Sequence, residues 1–342
     1  MRVRSRAPLR LGLAGGGTDV SPFCDEHGGY VLNATIDMYA FASLERLDEP
    51  RIEFEAVDFG KTFSAEATAN LETSGPLALH CGVYNRIVRE FCGGRSFGVK
   101  LKTHSDAPPG SGLGSSSTMV VTIVQAYVEA LNLPLGEYEV ARLAYDIERV
   151  DLALSGGRQD QYAATFGGFN FMEFNASERV LVNPLRVKPW IINELESSLV
   201  LYYTGRSRSS AEIIDQQIQN MNVPTKTSND AFFALKTEAL EMKASLLKGD
   251  FRIFVDSMRR GWESKKMTAT SVSNSMIDQV YGTAMSAGAQ AGKVSGAGGG
   301  GFMMFFVEPT MRPCVTRALK ELDGQVFGFH FTDHGSQAWR VE

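Results

Sequence analysis

Three glycine-rich segments carry the residues best suited to chemistry. The longest is Pro108-Pro109-Gly110-Ser111-Gly112-Leu113-Gly114-Ser115-Ser116-Ser117-Thr118. It follows a strand-like stretch and opens a helix-like one. Gly110, Gly112 and Gly114 let the backbone come close to a ligand. The first turn of the next helix offers unpaired N–H groups and the positive end of its dipole, which together make a phosphate cradle. Ser115, Ser116 and Ser117 add hydroxyls, one of them a suitable oxygen ligand for Mg²⁺. No lysine precedes the serines, so the segment is not a G-x-x-x-x-G-K-[ST] loop, and its glycines are too evenly spaced for G-x-G-x-x-G. A plain glycine turn capped by Ser115 would have the same composition.

The second segment, Leu11-Gly-Leu-Ala-Gly-Gly-Gly-Thr-Asp19, has the look of a dinucleotide fingerprint. Such a fingerprint needs a hydrophobic strand before it and an unbroken helix after it. Here the strand is rich in arginine and contains Pro8, and Pro22, Gly28 and Gly29 interrupt the stretch where the helix should run. The third segment, Lys293-Val-Ser-Gly-Ala-Gly-Gly-Gly-Gly-Phe302, runs straight into an apolar strand. Four glycines there suit close backbone approach better than a flexible linker.

The elements that must position these segments alternate between strand and helix, which points to an α/β or α+β architecture. Met38–Leu47, Arg51–Val57, Phe97–His104, Phe166–Phe174 and Leu199–Thr204 read as strands. Leu77–Cys92, Gly136–Val150 and Ser115–Leu131 read as helices, and the last is apolar on almost every side, as a central buried helix is. After Thr204 the chain turns helical over Ser209–Asn220, Thr227–Leu247 and Asp250–Trp262. It closes with a strand (Phe302–Val307), a helix (Pro309–Leu322) and two strands (Val326–Thr332, Gln337–Val341). This change of character puts a domain boundary near residue 190, and 342 residues are enough for two domains.

Net charge is −5, without the basic surplus of a nucleic-acid binder, so an anionic ligand needs local cations or backbone amides. Cys24, Cys81, Cys92 and Cys314 form no C-x-x-C pair and suggest reduced thiols in a cytoplasm. The first residues lack a signal-like apolar stretch. The longest apolar run, Met119–Leu131, is interrupted by Gln125 and Glu129 and is too short to span a bilayer.

The three segments, in this order, resemble the motifs of the GHMP kinase superfamily, named for galacto-, homoserine, mevalonate and phosphomevalonate kinases. Pro8-Leu-Arg10 and the stretch to Asp19 match the first motif, Pro108/Pro109 to Ser116 the second, and Lys293–Gly301 the third. The resemblance implies an N-terminal ribosomal-protein-S5-like nucleotide-binding domain (1–190), a C-terminal ferredoxin-like domain (191–342), and the use of ATP and Mg²⁺. Pro109, Gly110, Ser111, Gly112, Leu113, Gly114, Ser115, Ser116 and Ser117 would surround the nucleotide phosphates. Glu148, twelve residues before Asp160, would share Mg²⁺ with Ser116. Asp160 would be the general base, with Arg10 beside it as an electrostatic element, since arginine does not readily give up its proton. Gly17, Thr18 and Asp19 would meet the sugar, with Gly298 and Gly299 on the same side. Read without the resemblance, Glu148 is a helix-end carboxylate, Asp160 a helix-start residue and Asp19 a turn residue.

Galactokinases carry Glu-His where this chain has Gly16-Gly17. Arg6–Val20 and Ser155–Ala164 are instead similar to the heptose 7-phosphate kinase branch. That similarity implies phosphorylation of the anomeric hydroxyl of D-glycero-D-manno-heptose 7-phosphate, towards nucleotide-activated heptose for surface polysaccharide. The substrate's own phosphate would need cations, and Arg158, Arg206 and Arg208 are the expected ones; the bland reading of the last two is an exposed capping turn. Two other readings stay open: a GHMP kinase for fucose or an unphosphorylated heptose or mannose, and a non-catalytic sugar sensor on this fold. The expected partners are ATP and a small sugar, with no nucleic acid or membrane, and monomer and homodimer are equally open.

Overall fold

The computed structural model describes residues 1–108, 110–205, 210–223 and 225–341. Its strands form two sheets. The first has eight strands, and its main path runs Gln337–Val341, Arg2–Ala14, Gly29–Arg46, Val99–Ser105, Arg51–Ala56, Lys61–Glu66. All neighbours on this path are antiparallel except Arg51–Ala56 and Val99–Ser105, which run parallel. The 18-residue strand Gly29–Arg46 pairs with Arg2–Ala14 on one side. Its other side is shared by Phe169–Phe174 near the start and Val99–Ser105 near the end. Val180–Pro184 completes the sheet beyond Phe169–Phe174.

The second sheet is antiparallel, in the order Gln325–Phe327, Leu199–Tyr203, Phe302–Val307, Ala289–Val294. Phe-Met-Met-Phe-Phe-Val is buried at every position, as expected of a strand covered on both faces. The helix Ser115–Leu131 is buried almost all round and belongs to a cluster with Leu44, Phe54, Tyr84 and Leu101. It ends at Asn132, whose left-handed backbone (φ 54°) stops it two residues before Pro134.

The chain does not stay within the second sheet. Phe331 bridges Ile36, and Gln337–Val341 pairs with Arg2–Arg6 in the first sheet. Several sequence expectations shift, among them a helix expected over Asp250–Trp262 that runs to Thr268. The Phe-rich run expected to be a strand from Phe166 is helical up to that residue, because Gly167 and Gly168 turn the chain (φ 66° and 78°) and delay the strand to Phe169. The strand expected over Val326–Thr332 is only Gln325–Phe327, since the chain then crosses between sheets. The strand expected from Met38 begins at Gly29, as Val31, Leu32 and Ala34 are buried too.

Candidate active site

The three glycine segments meet around one cavity of about 440 Å³. Phe302 N–H donates to the Ser111 carbonyl (2.7 Å), and Arg10 N–H to that of Leu113 (3.1 Å). The approach of the Pro108–Thr118 segment to the Lys293–Phe302 segment requires glycine at 112. A Cβ there would sit 2.3 Å from the Ser295 carbonyl oxygen, and its φ is +82°. Gly114 has φ +76° and precedes the helix without a side-chain cap. The N–H groups of the first helical turn are therefore open to an anion beside Ser115, Ser116 and Ser117, which line the cavity with Gly110, Gly112 and Gly114.

Asp160 is the second residue of the helix Gln159–Phe166, and a Cβ on Gly114 would lie 3.2 Å from its carboxyl carbon. Arg10 reaches it from the first strand. Its Nε donates to Oδ1 at 2.8 Å and a terminal nitrogen lies 2.7 Å from the same oxygen. The other terminal nitrogen donates to the Gly112 carbonyl at 2.6 Å. One buried guanidinium thus ties Asp160 to the phosphate loop. Among the described residues no donor reaches Oδ2 of Asp160, and the side chain keeps 23% of its exposure.

Glu148 lies on a π-helical turn, Ile147–Asp151, that extends the helix Glu137–Asp146. Such turns often mark functional positions, and this one brings the carboxylate, 1% exposed, to the cavity wall. Ser116 Oγ donates to its Oε1 at 3.2 Å and Gln161 Nε2 to its Oε2 at 2.5 Å. Gln161 also donates to Ser117 Oγ. Arg149, at 3.8 Å, is its nearest described cation. A buried carboxylate next to a hydroxyl, held mainly by neutral donors, fits Mg²⁺, which takes one or two protein oxygens and completes its shell from phosphate and water. Among the described residues no cluster of three or more His, Cys, Asp or Glu offers a metal cage.

Asp19 is held by four donors of the protein itself. Its Oδ2 accepts from Arg158 N–H (3.0 Å) and Gln159 N–H (3.1 Å), and its Oδ1 from Gly17 N–H (3.0 Å) and Gln159 Nε2 (3.3 Å). The carboxylate lines the cavity at 1% exposure and caps the helix that presents Asp160. Asp19→Asn turns an amide toward at least one N–H donor and is expected to cost about 2–4 kcal/mol of stability, from two or more charge-assisted bonds. A urea melt reads this. An unchanged midpoint with a raised KM for sugar would show that Asp19 serves the ligand alone.

Other expected residues sit outside the cavity lining. The Thr18 hydroxyl is tied to the Gly15 and Tyr30 carbonyls. The side chains of Ser111 and Leu113 are fully buried. The Arg158 guanidinium points to Ser21 and Asp25 (2.9 and 2.8 Å), while its backbone N–H, at the N-cap of the Gln159 helix, meets Asp19. Gly298 and Gly299 pack on Val272, and Gly299 N–H donates to the Val272 carbonyl at 2.9 Å; Lys293, Val294, Gly296 and Ala297 are the cavity residues of that segment. Pro109, Arg206 and Arg208 lie outside the described residues.

The structure adds residues that the sequence reading missed. Gln159 Oε1 is buried without a hydrogen-bond partner in a side chain that lines the cavity, where it suits a hydroxyl donor. Lys265 and Lys293 also line the cavity. Burial pushes the first down to about 8 and the second to about 7, the latter helped by the neighbouring charges of Lys265 and Arg10.

Comparison with known proteins places this geometry among relatives. The family model described as GHMP kinases N terminal domain matches residues 78–168, and that described as GHMP kinases C terminal matches 242–320. A D-glycero-alpha-D-manno-heptose 7-phosphate kinase of Campylobacter jejuni is 46% identical over 339 residues, covering 99% of both chains. The crystal structure of a D-glycero-D-manno-heptose 1-phosphate kinase from Bacteroides thetaiotaomicron has a TM-score of 0.85 at 48% identity, covering 99% of each chain. Lactococcus lactis galactokinase complexed with galactose shares the fold alone, with a TM-score of 0.77 at 16% identity over 98% of this chain and 95% of that one.

Proposed function

Because this chain belongs to the GHMP kinases, we propose that it moves the γ-phosphoryl group of ATP to the anomeric hydroxyl of D-glycero-D-manno-heptose 7-phosphate, giving the 1,7-bisphosphate and ADP. The observation that carries this reading is the Arg10–Asp160 pair, set against the phosphate loop at one wall of the cavity.

The residues divide the work simply. Phosphoryl transfer asks mostly for positioning and for stabilisation of charge on the moving group. The open N–H groups after Gly114 hold the nucleotide phosphates and stabilise the charge left on ADP. Oδ2 of Asp160 takes the proton as the sugar oxygen bonds to the γ-phosphorus and the bond from that phosphorus to the β-phosphate oxygen breaks. Arg10 holds Oδ1 with two nitrogens and keeps the carboxylate aimed. Mg²⁺ held by Ser116 and Glu148 would supply charge neutralisation on the phosphate oxygens. Gln159 Oε1 suits a second sugar hydroxyl. Among the described residues no helix is long and apolar enough to cross a membrane, and we place the reaction in the cytoplasm, where the four free thiols stay reduced.

The two high-identity relatives are named for phosphates at opposite ends of the sugar, one for a 7-phosphate and one for a 1-phosphate. ADP release should therefore be measured with ATP and Mg²⁺ against heptose 7-phosphate, heptose 1-phosphate, unphosphorylated heptose, mannose, mannose 6-phosphate, fucose and galactose. Selective turnover of heptose 7-phosphate is expected. Turnover of the 1-phosphate instead would reverse the substrate's orientation. ATP binding with no turnover of any sugar would leave a sensor.

A further inference from the structure

Four cations and four carboxylates line the cavity, but among the described residues no carboxylate forms an ion pair with Lys265 or Lys293. Asp160 is tied to Arg10, Glu148 faces Ser116 and Gln161, and Asp19 caps the Gln159 helix. Glu238, on the helix Lys226–Lys248, has its pKa raised by burial and accepts from Ser264 Oγ at 3.2 Å. Against these stand Lys265 and Lys293. Lys265 rises from the helix Phe251–Thr268, is 7% exposed, and donates to the Gly16 carbonyl at 2.7 Å. Lys293 leaves the strand Ala289–Val294 and donates to the Gly12 and Leu13 carbonyls, both at 2.9 Å. The described partners of both ammoniums are carbonyl oxygens. An ammonium has three N–H donors, so Lys265 keeps two and Lys293 one beyond those bonds.

A buried cation without a counter-ion is costly unless something anionic arrives. We propose that Lys265, together with Lys293, receives the phosphate that the sugar brings with it, and so sets the preference for a phosphorylated substrate. This rests on the kinase reading above. The group recognised is a phosphate, and the other phosphate at hand is the nucleotide's. The nucleotide already has the amides after Gly114, whereas Lys265 lies across the glycine segment: a Cβ on Gly17 would be 3.2 Å from its Nζ, with Phe232 and Gln217 as the next neighbours. This is the side of the cavity built by the C-terminal helices.

The proposal separates from a merely structural role by substrate. In Lys265→Met, kcat/KM for heptose 7-phosphate is expected to fall about 10- to 100-fold, the worth of one or two charge-assisted hydrogen bonds. The value for unphosphorylated heptose should move less than about threefold by the same reckoning, and Lys265→Arg should recover part of the loss. An equal fall for both sugars would make Lys265 a brace for the Gly16 turn and overturn the proposal. So would a rise in KM for ATP alone, which would assign the lysines to the nucleotide.

Should Lys265→Met fail to fold, the wild-type enzyme still decides. KM for heptose 7-phosphate, but not for unphosphorylated heptose, is expected to climb as pH rises past about 8, where Lys265 loses its proton. Asp19 favours the charged form there and Arg10 opposes it, and Lys293 senses Glu238 in the same way. Parallel pH profiles for the two sugars would overturn the proposal. Calorimetry with mannose 6-phosphate against mannose, without ATP, keeps the two readings apart. If the wild type turns over no sugar, yet binds the phosphate ester more tightly in a Lys265-dependent way, the kinase reading fails and the phosphate site stands.

Discussion

Asp160→Asn is expected to leave a protein that binds ATP normally and turns over about 10²- to 10⁴-fold more slowly, the usual worth of a placed general base. The asparagine keeps the shape and an oxygen for Arg10 to donate to, so the guanidinium should still hold the Gly112 carbonyl at the phosphate loop. What disappears is the atom that accepts the proton, Oδ2. Single-turnover measurements with saturating ATP separate the two effects. A fall in kcat with the nucleotide dissociation constant within about threefold supports the base, since that ratio is worth well under 1 kcal/mol. A mutant within tenfold of wild type would mean that the sugar hydroxyl loses its proton elsewhere and that Asp160 only orients it.

The second large effect comes from a position with no side chain. In Gly112→Ala the new Cβ meets the Ser295 carbonyl oxygen at 2.3 Å and its carbon at 3.2 Å, and neither is the end of a flexible side chain. The backbone must also stay at φ +82°, which costs a side-chain-bearing residue about 1–2 kcal/mol, and forced overpacking adds about 1–3 kcal/mol. The phosphate loop should part from the third glycine segment, raising KM for ATP more than tenfold and lowering the melting temperature by several degrees. Gly75→Ala is the control. Its φ is similar (+78°) but nothing lies within 4 Å of a Cβ, so only the backbone strain should appear. Equal losses in both variants would show that the contact with Ser295 is unimportant.

The residues legible in the sequence were those whose neighbours in the chain do the positioning. The phosphate loop is a contiguous turn before a contiguous helix, so Gly110–Ser117 declare themselves. Glu148 and Asp160 lie close in the chain and on helix ends, and both reach the cavity. Arg158 shows the limit of that logic. It stands two residues from Asp160, but consecutive side chains on a helix leave in different directions, and its charge ends beside Asp25. Lys265 is the opposite case. In Glu-Ser-Lys-Lys it reads as one of a pair of solvated lysines past the expected helix end at Trp262. Only the packing of the Phe251–Thr268 helix over Gly16 buries one lysine and leaves the other outside. Three of the second sheet's four strands were visible by composition and Ala289–Val294 was not, whereas strand order depends on contacts hundreds of residues apart, which no local pattern encodes.

The pairing of Gln337–Val341 with Arg2–Arg6 has a consequence for how the molecule is made. The strand that carries Arg10 leaves the ribosome well before the strand that covers one of its flanks, which is read some 330 codons later. Until then its N-terminal half is a sheet edge with unpaired N–H and C=O groups, the kind of edge to which a second nascent chain can add. The alternating arginines at 2, 4 and 6 therefore have work before any substrate is met: charge along an exposed strand repels a like partner while the chain waits for Gln337–Val341.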